Sequence, residues 1–361
     1  MQFGLMTQIQ MPRPWTETTE RTAYWNALDQ VVAAEAAGFQ YFWITEQHFF
    51  IEIGHCSCPD MVLAALSQRT KTIRLGFGVI LLPVHHPYYV AERVATLDVL
   101  SQGRAEFGVG RGTSPYMVEP LGFRPEDGRE VARETLEAVI LMLEQERFPG
   151  YKSKHFDLPP RHVVPRPVQR PHPRLWVAAS NLETFEHAGR QGMGAIGVTR
   201  NTPAETKPFI DAYRAAIRGA DRSQFVGRFA NEQVGAFAMA CCLEDDRLGR
   251  DVACAAARWY YGDNDAELNR SRFATAGGVS KISDKIGRRS NDELIADAMA
   301  IGGNPDTVCR QVEKWAEAGL DQMIFMLQAG HTSHEQVLRS IDLIGEKVIP
   351  RFGTADLALT A

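Results

Sequence analysis

Two kinds of apolar segment alternate along the chain. Short runs in which nearly every residue is apolar are typical of strands buried on both faces, and each is followed by a longer segment with apolar residues at helical spacing. In segment 19–37, Ala27, Val31 and Ala34 fall on one face, and Gly38 follows as a helix-ending residue. The predicted strands are 3–7, 41–45, 73–82, 105–109, 175–179, 195–198, 234–242 and 322–327. The predicted helices are 19–37, 59–69, 88–100, 129–144, 182–191, 204–217, 245–260, 306–318 and 334–348.

Eight strands, each followed by a helix, predict an α/β fold of the (β/α)₈ TIM barrel type with insertions. The Pro-rich segment 148–174 follows the fourth pair and is predicted to be a long loop. The polar segment 262–303 follows the seventh pair and is predicted to be a lid insertion. A doubly wound sheet is the competing architecture, but the glycine turn it needs after its first strand is absent. We therefore expect residues 1–361 to form a single barrel domain.

Charge and composition exclude several classes of function. The net charge is −5, with no long run of like charges, which argues against nucleic-acid binding. The amino-terminal segment 1–10 alternates like a strand and does not resemble a signal peptide, and the most apolar segment, 75–84, is too short to span a bilayer. We expect a cytoplasmic protein without a membrane partner.

The cysteines give no sign of a disulfide framework or a metal site. There are 6 of them, without a CxxC spacing, which fits a reducing compartment. His48, His55, Cys56 and Cys58 lie close in sequence, but this is not a usual zinc spacing and no second pair follows. No metal is expected.

The chemistry of a barrel enzyme lies at the carboxyl ends of the strands, which selects few polar residues. His48 follows the second strand and is predicted to act as an acid, a base or a hydrogen-bond partner of a cofactor; the alternative is a buried histidine bonded to Glu46. His331 follows the last strand and is a second candidate. His86 precedes Pro87, so it either serves the site or only helps to start the next helix.

Two features at this end favour phosphate. The glycine-rich turn 108–112 allows close approach of the backbone to a ligand, and Arg111 within it supplies a planar, charged donor. Ser180 and Asn181 precede a predicted helix whose first amides would attract an anion, although these two residues are equally suited to capping that helix. Together the features suggest a phosphorylated cofactor.

Several segments, taken in order, resemble the flavin-dependent bacterial luciferase-like monooxygenase family. The segment 97–112 is the most specific. The segments that carry the resemblance are 36–49, 74–83, 97–112, 176–180 and 340–350.

The resemblance implies a two-component enzyme. Reduced FMN, supplied by a separate NAD(P)H:flavin reductase, would react with O₂ to give a flavin 4a-hydroperoxide, which transfers one oxygen atom to an organic substrate. Exclusion of water would protect this species. Family members pair through early helices, so we expect a homodimer, with Ala64 and Ala65 and the helix 88–100 as candidate faces.

The resemblance also assigns residues to the cofactor. Gly78 and Val79 match the position of a cis peptide bond beside the flavin ring, and Tyr116 falls in a loop close to the flavin. Arg111 and Arg129 match phosphate-binding arginines. The residues whose backbone would hold the same phosphate are Ala179, Ser180 and Glu183.

The sequence departs from the luciferases at two positions. Gln47 occupies the place of their catalytic base, so that of the adjacent histidine pair only His48 remains; the predicted catalytic residues are Gln47, His48 and His331. Gly110 replaces their reactive cysteine and is expected to leave more room near the flavin. The side chains expected to face an apolar substrate, or else to pack in the core, are Met6, Phe49, Phe50, Phe77, Met117 and Trp176.

Two other functions are compatible with the same fold. One is a deazaflavin-dependent oxidoreductase that transfers hydride without O₂; that branch usually lacks the Glu-x-His-Phe segment present at 46–49. The other is a flavin-binding protein without catalytic activity, but those proteins are shortened barrels, whereas this chain has all eight units.

Overall fold

Eight parallel strands close into a barrel in the computed structural model, which describes residues 1–112, 114–198, 201–263 and 285–353. Around the barrel the strand order is β1, β2, β3, β4, β7, β8, β9 and β11, and β11 pairs with β1 to close the ring. The barrel strands are β1 (Gln2–Thr7), β2 (Tyr41–Ile44), β3 (Arg74–Leu81), β4 (Ala105–Gly110), β7 (Arg174–Ala178), β8 (Gly194–Val198), β9 (Val234–Cys242) and β11 (Gln322–Met326). This confirms the predicted fold class.

The α-helices follow the strands and cover the barrel. Their first turns carry the features expected from sequence, such as Pro at the start of Pro59–Arg69 and a Ser/Thr or Asn cap on several others. The predicted helix 334–348 is α-helical only through Leu343 and then continues as a π-helical turn. The helices are Thr19–Ala36, Pro59–Arg69, Pro87–Leu100, Pro115–Val118, Gly128–Glu144, Leu182–Arg190, Pro203–Gly219, Asp246–Arg258, Asn291–Ala296, Pro305–Glu317 and His334–Leu343.

Two apolar layers follow from the alternation of side chains along the strands. Phe3 and Leu5 point outward and join the cluster between barrel and helices. Met6 points inward and packs in a second cluster with Trp43 and Trp176. The rings of these two tryptophans meet edge to face, with centroids 5.2 Å apart, and both are fully buried. They fill the middle of the barrel.

Glycines in β3 and β4 make this packing possible. A Cβ atom on Gly76 would lie 2.2 Å from the Trp43 ring, so only glycine leaves space for it. A Cβ atom on Gly108 would lie 2.0 Å from the carbonyl oxygen of Phe77. The pairing of β3 with β4 shifts register between Phe77 and Ile80, which places that carbonyl against β4.

A buried group of charges lies at the amino-terminal end of the barrel strands. The Glu106 carboxylate is fully buried; it pairs with Arg74 and lies 3.3 Å from the Nε of Arg174. Trp176 Nε1 donates to its other oxygen at 2.6 Å. Every oxygen of this carboxylate therefore has a partner, as a buried charge requires.

The two predicted insertions are more ordered than expected. Segment 148–174 is an inserted excursion without a helix, as expected, and it contains a short antiparallel hairpin, β5 (Tyr151–Lys152) with β6 (Asp157–Leu158). Within 262–303, the described part holds the helix Asn291–Ala296 and β10 (Ile301–Gly303), which extends the sheet beside β9. Residues 264–284 of the predicted lid lie outside the described residues.

None of the helices in the described part of the chain combines the length and apolar character needed to cross a bilayer.

Candidate active site

A buried carboxylate with two histidines lies where β2 and β3 end. Glu46 Oε1 accepts hydrogen bonds from Nε2 of His48 at 2.9 Å and Nε2 of His85 at 2.6 Å. The other oxygen, Oε2, accepts from the backbone amide of Leu81 at 2.9 Å. The bond to Glu46 confirms the alternative given for His48 from sequence, and its role as an acid, a base or a partner of a cofactor stays a prediction.

These hydrogen bonds decide the charge of Glu46. Burial alone would raise the pKa of this carboxyl group, but the hydrogen bonds from His48, from His85 and from the backbone amide of Leu81 outweigh burial and lower the pKa to about 2. Glu46 is therefore ionised at neutral pH. It is 3% exposed, so the charge is sheltered from solvent and acts strongly on its neighbours.

His85 and His86 have separate roles that sequence alone did not distinguish. His86 Nδ1 accepts from the amide of Tyr88 and caps the helix that begins at Pro87, so the helix-starting alternative holds for it. His85, one residue earlier, turns inward to Glu46. His85 was not predicted as a site residue from sequence, where the only signal is that both histidines follow β3.

The other two predicted catalytic residues, Gln47 and His331, contact other parts of the protein than this cluster. The Gln47 side chain packs against the next loop, where a Cβ on Gly54 would come within 2.6 Å of Gln47 Cγ. His331 is exposed and meets the Trp259 ring edge on, with centroids 6.4 Å apart. It lines a cavity of about 510 Å³ together with Arg13, Glu52, Ala255, Arg258 and Trp259.

The Gly78–Val79 peptide bond is cis, as the resemblance implied. It lies within the register shift of β3, and a Cβ on Gly78 would lie 3.3 Å from Trp43 Cβ and 3.4 Å from Met6 Cε. The peptide therefore rests on the apolar floor formed by the barrel interior.

Gly110 does not leave the open space that was expected. A Cβ atom there would come within 2.4 Å of Val79 Cγ2, so the side chain of Val79 already occupies the space that the missing Gly110 side chain would use. Gly112, in contrast, has a φ of +65°, which favours glycine.

The predicted phosphate-binding residues meet at the ends of β4 and β7. Arg129 Nη1 lies 2.6 Å from Glu183 Oε1, with both side chains mostly exposed. The hydrogen bond and charge of Arg129, followed by the charge of Arg111, lower the pKa of Glu183. Arg111 is exposed and its backbone approaches Gly128 at the start of the next helix. Two cations thus face one carboxylate.

The backbone amides expected to hold a phosphate are only partly available. The amide of Ala179 donates to Ile196 O at 2.9 Å, and that of Ser180 donates to Thr184 Oγ1 at 3.1 Å, so both already have acceptors. Asn181 forms a capping box with Thr184, which confirms the capping alternative for this residue. Glu183 is the second residue of the helix, where an amide has no acceptor within the helix itself.

Polar atoms at the ends of β1 and β2 were missed from sequence. Gln8 is buried and its Nε2 donates to the Tyr260 hydroxyl at 3.0 Å, while Gln8 Oε1 has no hydrogen-bond partner among the described residues. The hydroxyl of Thr45, also buried, has none within the same part of the chain. Such atoms at the mouth of the barrel indicate where a polar ligand group would bind.

The apolar residues proposed to face a substrate divide into three groups. Met6, Phe50, Met117 and Trp176 belong to the inner cluster. Phe77 belongs instead to the layer between barrel and helices, so the core-packing alternative holds for it. Phe49 is exposed. The ring of Tyr116, 44% exposed, lies 5.8 Å from that of Phe50.

The described residues bring one possible set of metal ligands together, Glu130, Glu134 and His155. Lys154 Nζ already lies 2.6 Å from Glu130 Oε2, and Ser153 Oγ donates to Glu134 Oε2 at 2.7 Å. These carboxylates are therefore already engaged by protein donors.

Comparison of the sequence with known protein families gives a match over most of the chain. A family described as luciferase-like monooxygenase matches residues 1–322. The chain belongs to that family and is an oxidoreductase of it.

Three relatives show the range of chemistry within the family. Limonene 1,2-monooxygenase of Rhodococcus erythropolis is 28% identical over 94% of this chain and 84% of its own length. The oxygenase component of a flavin-dependent trigonelline monooxygenase from Acinetobacter baylyi is 26% identical over 53% of this chain and 52% of its own. A 5,10-methylenetetrahydromethanopterin reductase of Methanopyrus kandleri is 25% identical over 89% of this chain and 93% of its own length.

Two solved structures share the fold. Monooxygenase RslO1 from Streptomyces bottropensis superposes with a TM-score of 0.80 at 25% identity, over 98% of this chain and 100% of its own. The oxygenating constituent of 3,6-diketocamphane monooxygenase from Pseudomonas putida, solved with FMN, gives a TM-score of 0.78 at 20% identity, over 97% of this chain and 98% of its own. At this identity the similarity shows the fold alone.

Proposed function

We propose that the protein is the oxygenase component of a two-component, FMN-dependent monooxygenase that transfers one oxygen atom of O₂ to an apolar organic substrate. The observation that carries this proposal is the pair His48 and Glu46, held by a 2.9 Å hydrogen bond at the carboxyl end of the barrel. Oxygen transfer needs a group at the site that can hold or deliver a proton.

The residues at this end fit FMN. Arg111, Arg129 and the first-turn amide of Glu183 would hold the phosphate, with Arg129 exchanging its present carboxylate partner for it. The Gly78–Val79 peptide would support the ring, and Tyr116 would flank it. Gln8 Oε1 and Thr45 Oγ1, which have no hydrogen-bond partner in the part of the chain that the structure describes, supply the acceptor and hydroxyl groups that a polar ring edge requires. Reduced FMN, when bound, supplies the electrons that activate O₂.

The chain's own residues have three tasks in this reaction. Ionised Glu46 orients His48 and stabilises its imidazolium form, so His48 can accept and return a proton at the site. The buried cluster of Met6, Phe50 and Met117 offers an apolar substrate a surface from which water is excluded. Gln47 and His331 would complete the polar rim from the loops after β2 and β11.

A separate NAD(P)H:flavin reductase would supply the reduced cofactor. The relative from Acinetobacter baylyi is named as an oxygenase component, which supports a division into two proteins.

A homodimer is supported by exposed apolar side chains on the two helices expected to pair. Met61 lies 71% exposed on Pro59–Arg69, and Tyr89 lies 60% exposed on Pro87–Leu100.

The second candidate is a deazaflavin-dependent oxidoreductase. It is supported by the similarity to the Methanopyrus kandleri reductase over 89% of this chain and by a solved structure of a coenzyme F420-dependent reductase from that organism. Anaerobic titration of the purified protein with reduced FMN and, separately, with a reduced deazaflavin discriminates the two. We expect tighter binding of reduced FMN, followed by O₂ consumption when oxygenated buffer is mixed in. Arg111→Ala should weaken FMN binding, and Arg124→Ala, an arginine of the same region paired with Asp127, serves as the matched control.

Preferential binding of the deazaflavin without O₂ consumption would contradict the proposal. Binding of FMN with no oxygenated product from any apolar compound, measured with ¹⁸O₂ and mass spectrometry, would point to a flavin-binding protein without catalytic activity.

A further inference from the structure

The hydrogen bonds around Glu46 fix the positions of protons on two histidines. An ionised carboxylate only accepts, so His48 and His85 must each present an Nε2–H to Oε1. The amide of Leu81 donates to Oε2. Glu46 thus accepts three hydrogen bonds. In each of the two imidazoles, the nitrogen that does not bond to Glu46 is Nδ1.

The second nitrogen of His85 faces an arginine. Arg93 Nη1 lies 3.5 Å from His85 Nδ1, and a guanidinium has only N–H donors to offer. Nδ1 of His85 is therefore placed as the acceptor of this guanidinium, and Nε2 is the nitrogen that donates its proton to Glu46. Arg93 is itself placed by Asp60, whose Oδ2 lies 3.7 Å from the Arg93 Nε.

Another acidic group near Glu46 is not charged at neutral pH. Burial raises the pKa of the Cys56 thiol to about 12, with smaller contributions from nearby acidic groups. The charged groups around the two histidines are therefore Glu46, Arg93 and Asp60.

His48 differs from His85 in its second nitrogen. Its Nδ1 has no hydrogen-bond partner among the described residues, and its side chain is 17% exposed at the mouth of the barrel. Of the two imidazoles bound to Glu46, only that of His48 has a basic nitrogen free for a ligand.

We propose that His48 accepts a proton at Nδ1, and that His85, fixed by Arg93 and Asp60, is a positioning residue that holds the Glu46 carboxylate for it. A proton passes from an O–H group of the bound ligand to Nδ1, the imidazolium is paired with Glu46 across Nε2–H, and the proton returns to the product or to solvent. The proton-accepting role rests on the proposed function, whereas the assignment of protons does not.

The test is a long-range ¹H–¹⁵N correlation NMR spectrum of the protein labelled with ¹⁵N-histidine, recorded at pH 8 without flavin. We expect both His48 and His85 to show the neutral Nε2–H tautomer, with assignments from His48→Asn and His85→Gln. A doubly protonated His85, or a proton on Nδ1 of either ring, overturns the proposal. The spectrum that decides the question is that of the unmodified chain, and the two variants serve only to assign its signals.

Two matched variants then test the positioning role. His85→Gln keeps an N–H donor toward Glu46, whereas His85→Leu has similar bulk without a donor. In the leucine variant we expect His48 to show a mixture of tautomers and kcat to fall roughly 10-fold or more with KM little changed. The glutamine variant should keep the single His48 tautomer and the kcat of the unmodified protein. Arg93→Lys should preserve this tautomer and kcat better than Arg93→Met.

Unchanged His48 tautomer and unchanged kcat in His85→Leu would show that His85 is merely structural. If instead the tautomers are as described but the protein neither binds reduced FMN nor consumes O₂, the proposed function fails while the arrangement of protons stands.

Discussion

Replacement of Glu46 by Gln tests the electrostatics of the site through protein stability. The pKa of Glu46 is lowered from its ordinary value of 4.5 to about 2 because its hydrogen bonds favour the ionised form more than burial opposes it. A shift of this size corresponds to about 3 kcal/mol of folding free energy. This stabilisation is present above pH 4.5 and is lost as the pH falls toward 2, because the unfolded chain takes up the proton first. The glutamine variant lacks it at every pH.

The assay is urea unfolding, followed by fluorescence, of both proteins between pH 7 and pH 3.5. At pH 7 we expect Glu46→Gln to be about 3 kcal/mol less stable, and the gap to close with a slope approaching ~1.4 kcal/mol per pH unit below pH 4.5. Glu130→Gln is the control, because Glu130 also bonds a histidine but its side chain is 41% exposed; its effect should be small and should weaken in salt. A gap below about 1 kcal/mol at pH 7, or one that does not change with pH, would refute the reasoning.

Three further predictions follow from single contacts. Glu106→Gln removes the partner of two arginines at the amino-terminal end of the barrel and should cost about 3–5 kcal/mol in urea unfolding; a loss under about 1 kcal/mol would contradict this. Gly108→Ala places a Cβ 2.0 Å from a backbone oxygen and should lower Tm, whereas Gly219→Ala, in open space, should not; equal Tm values would show that the strand yields. Glu183→Gln frees an arginine and should tighten FMN binding about 2-fold by equilibrium titration; weaker binding would mean that the carboxylate itself helps to hold the ligand.

The barrel could be predicted because its strands are buried on both faces. Such strands produce continuous apolar runs, and all eight predicted strands agree with the structure to within one residue at each end. The two-residue strands β5 and β6 have no periodicity to detect, and β10 consists only of Ile301 and two glycines. Their pairing depends on neighbours far away in the chain, which local patterns do not record.

The site was predicted where residue type and strand order are sufficient. His48 and the Gly78–Val79 cis peptide lie at strand ends and matched segments with a clear resemblance. The inward turn of His85 is set by the short 3₁₀ turn Leu82–Val84, whose geometry the sequence does not state. The space beside Gly110 is occupied from another strand, by Val79, so no inspection of the segment around Gly110 reveals it.

The paired tryptophan rings in the middle of the barrel have a consequence for how new activities arise in this scaffold. Because Trp43 and Trp176 are completely buried and separate the charged end of the barrel from the catalytic end, any compound that enters rests above them and touches only strand ends and loops. Exchange of those loops between relatives should therefore change which compound is accepted with little effect on folding. Libraries for directed evolution belong in the loops, and the strands below the two rings are best kept constant.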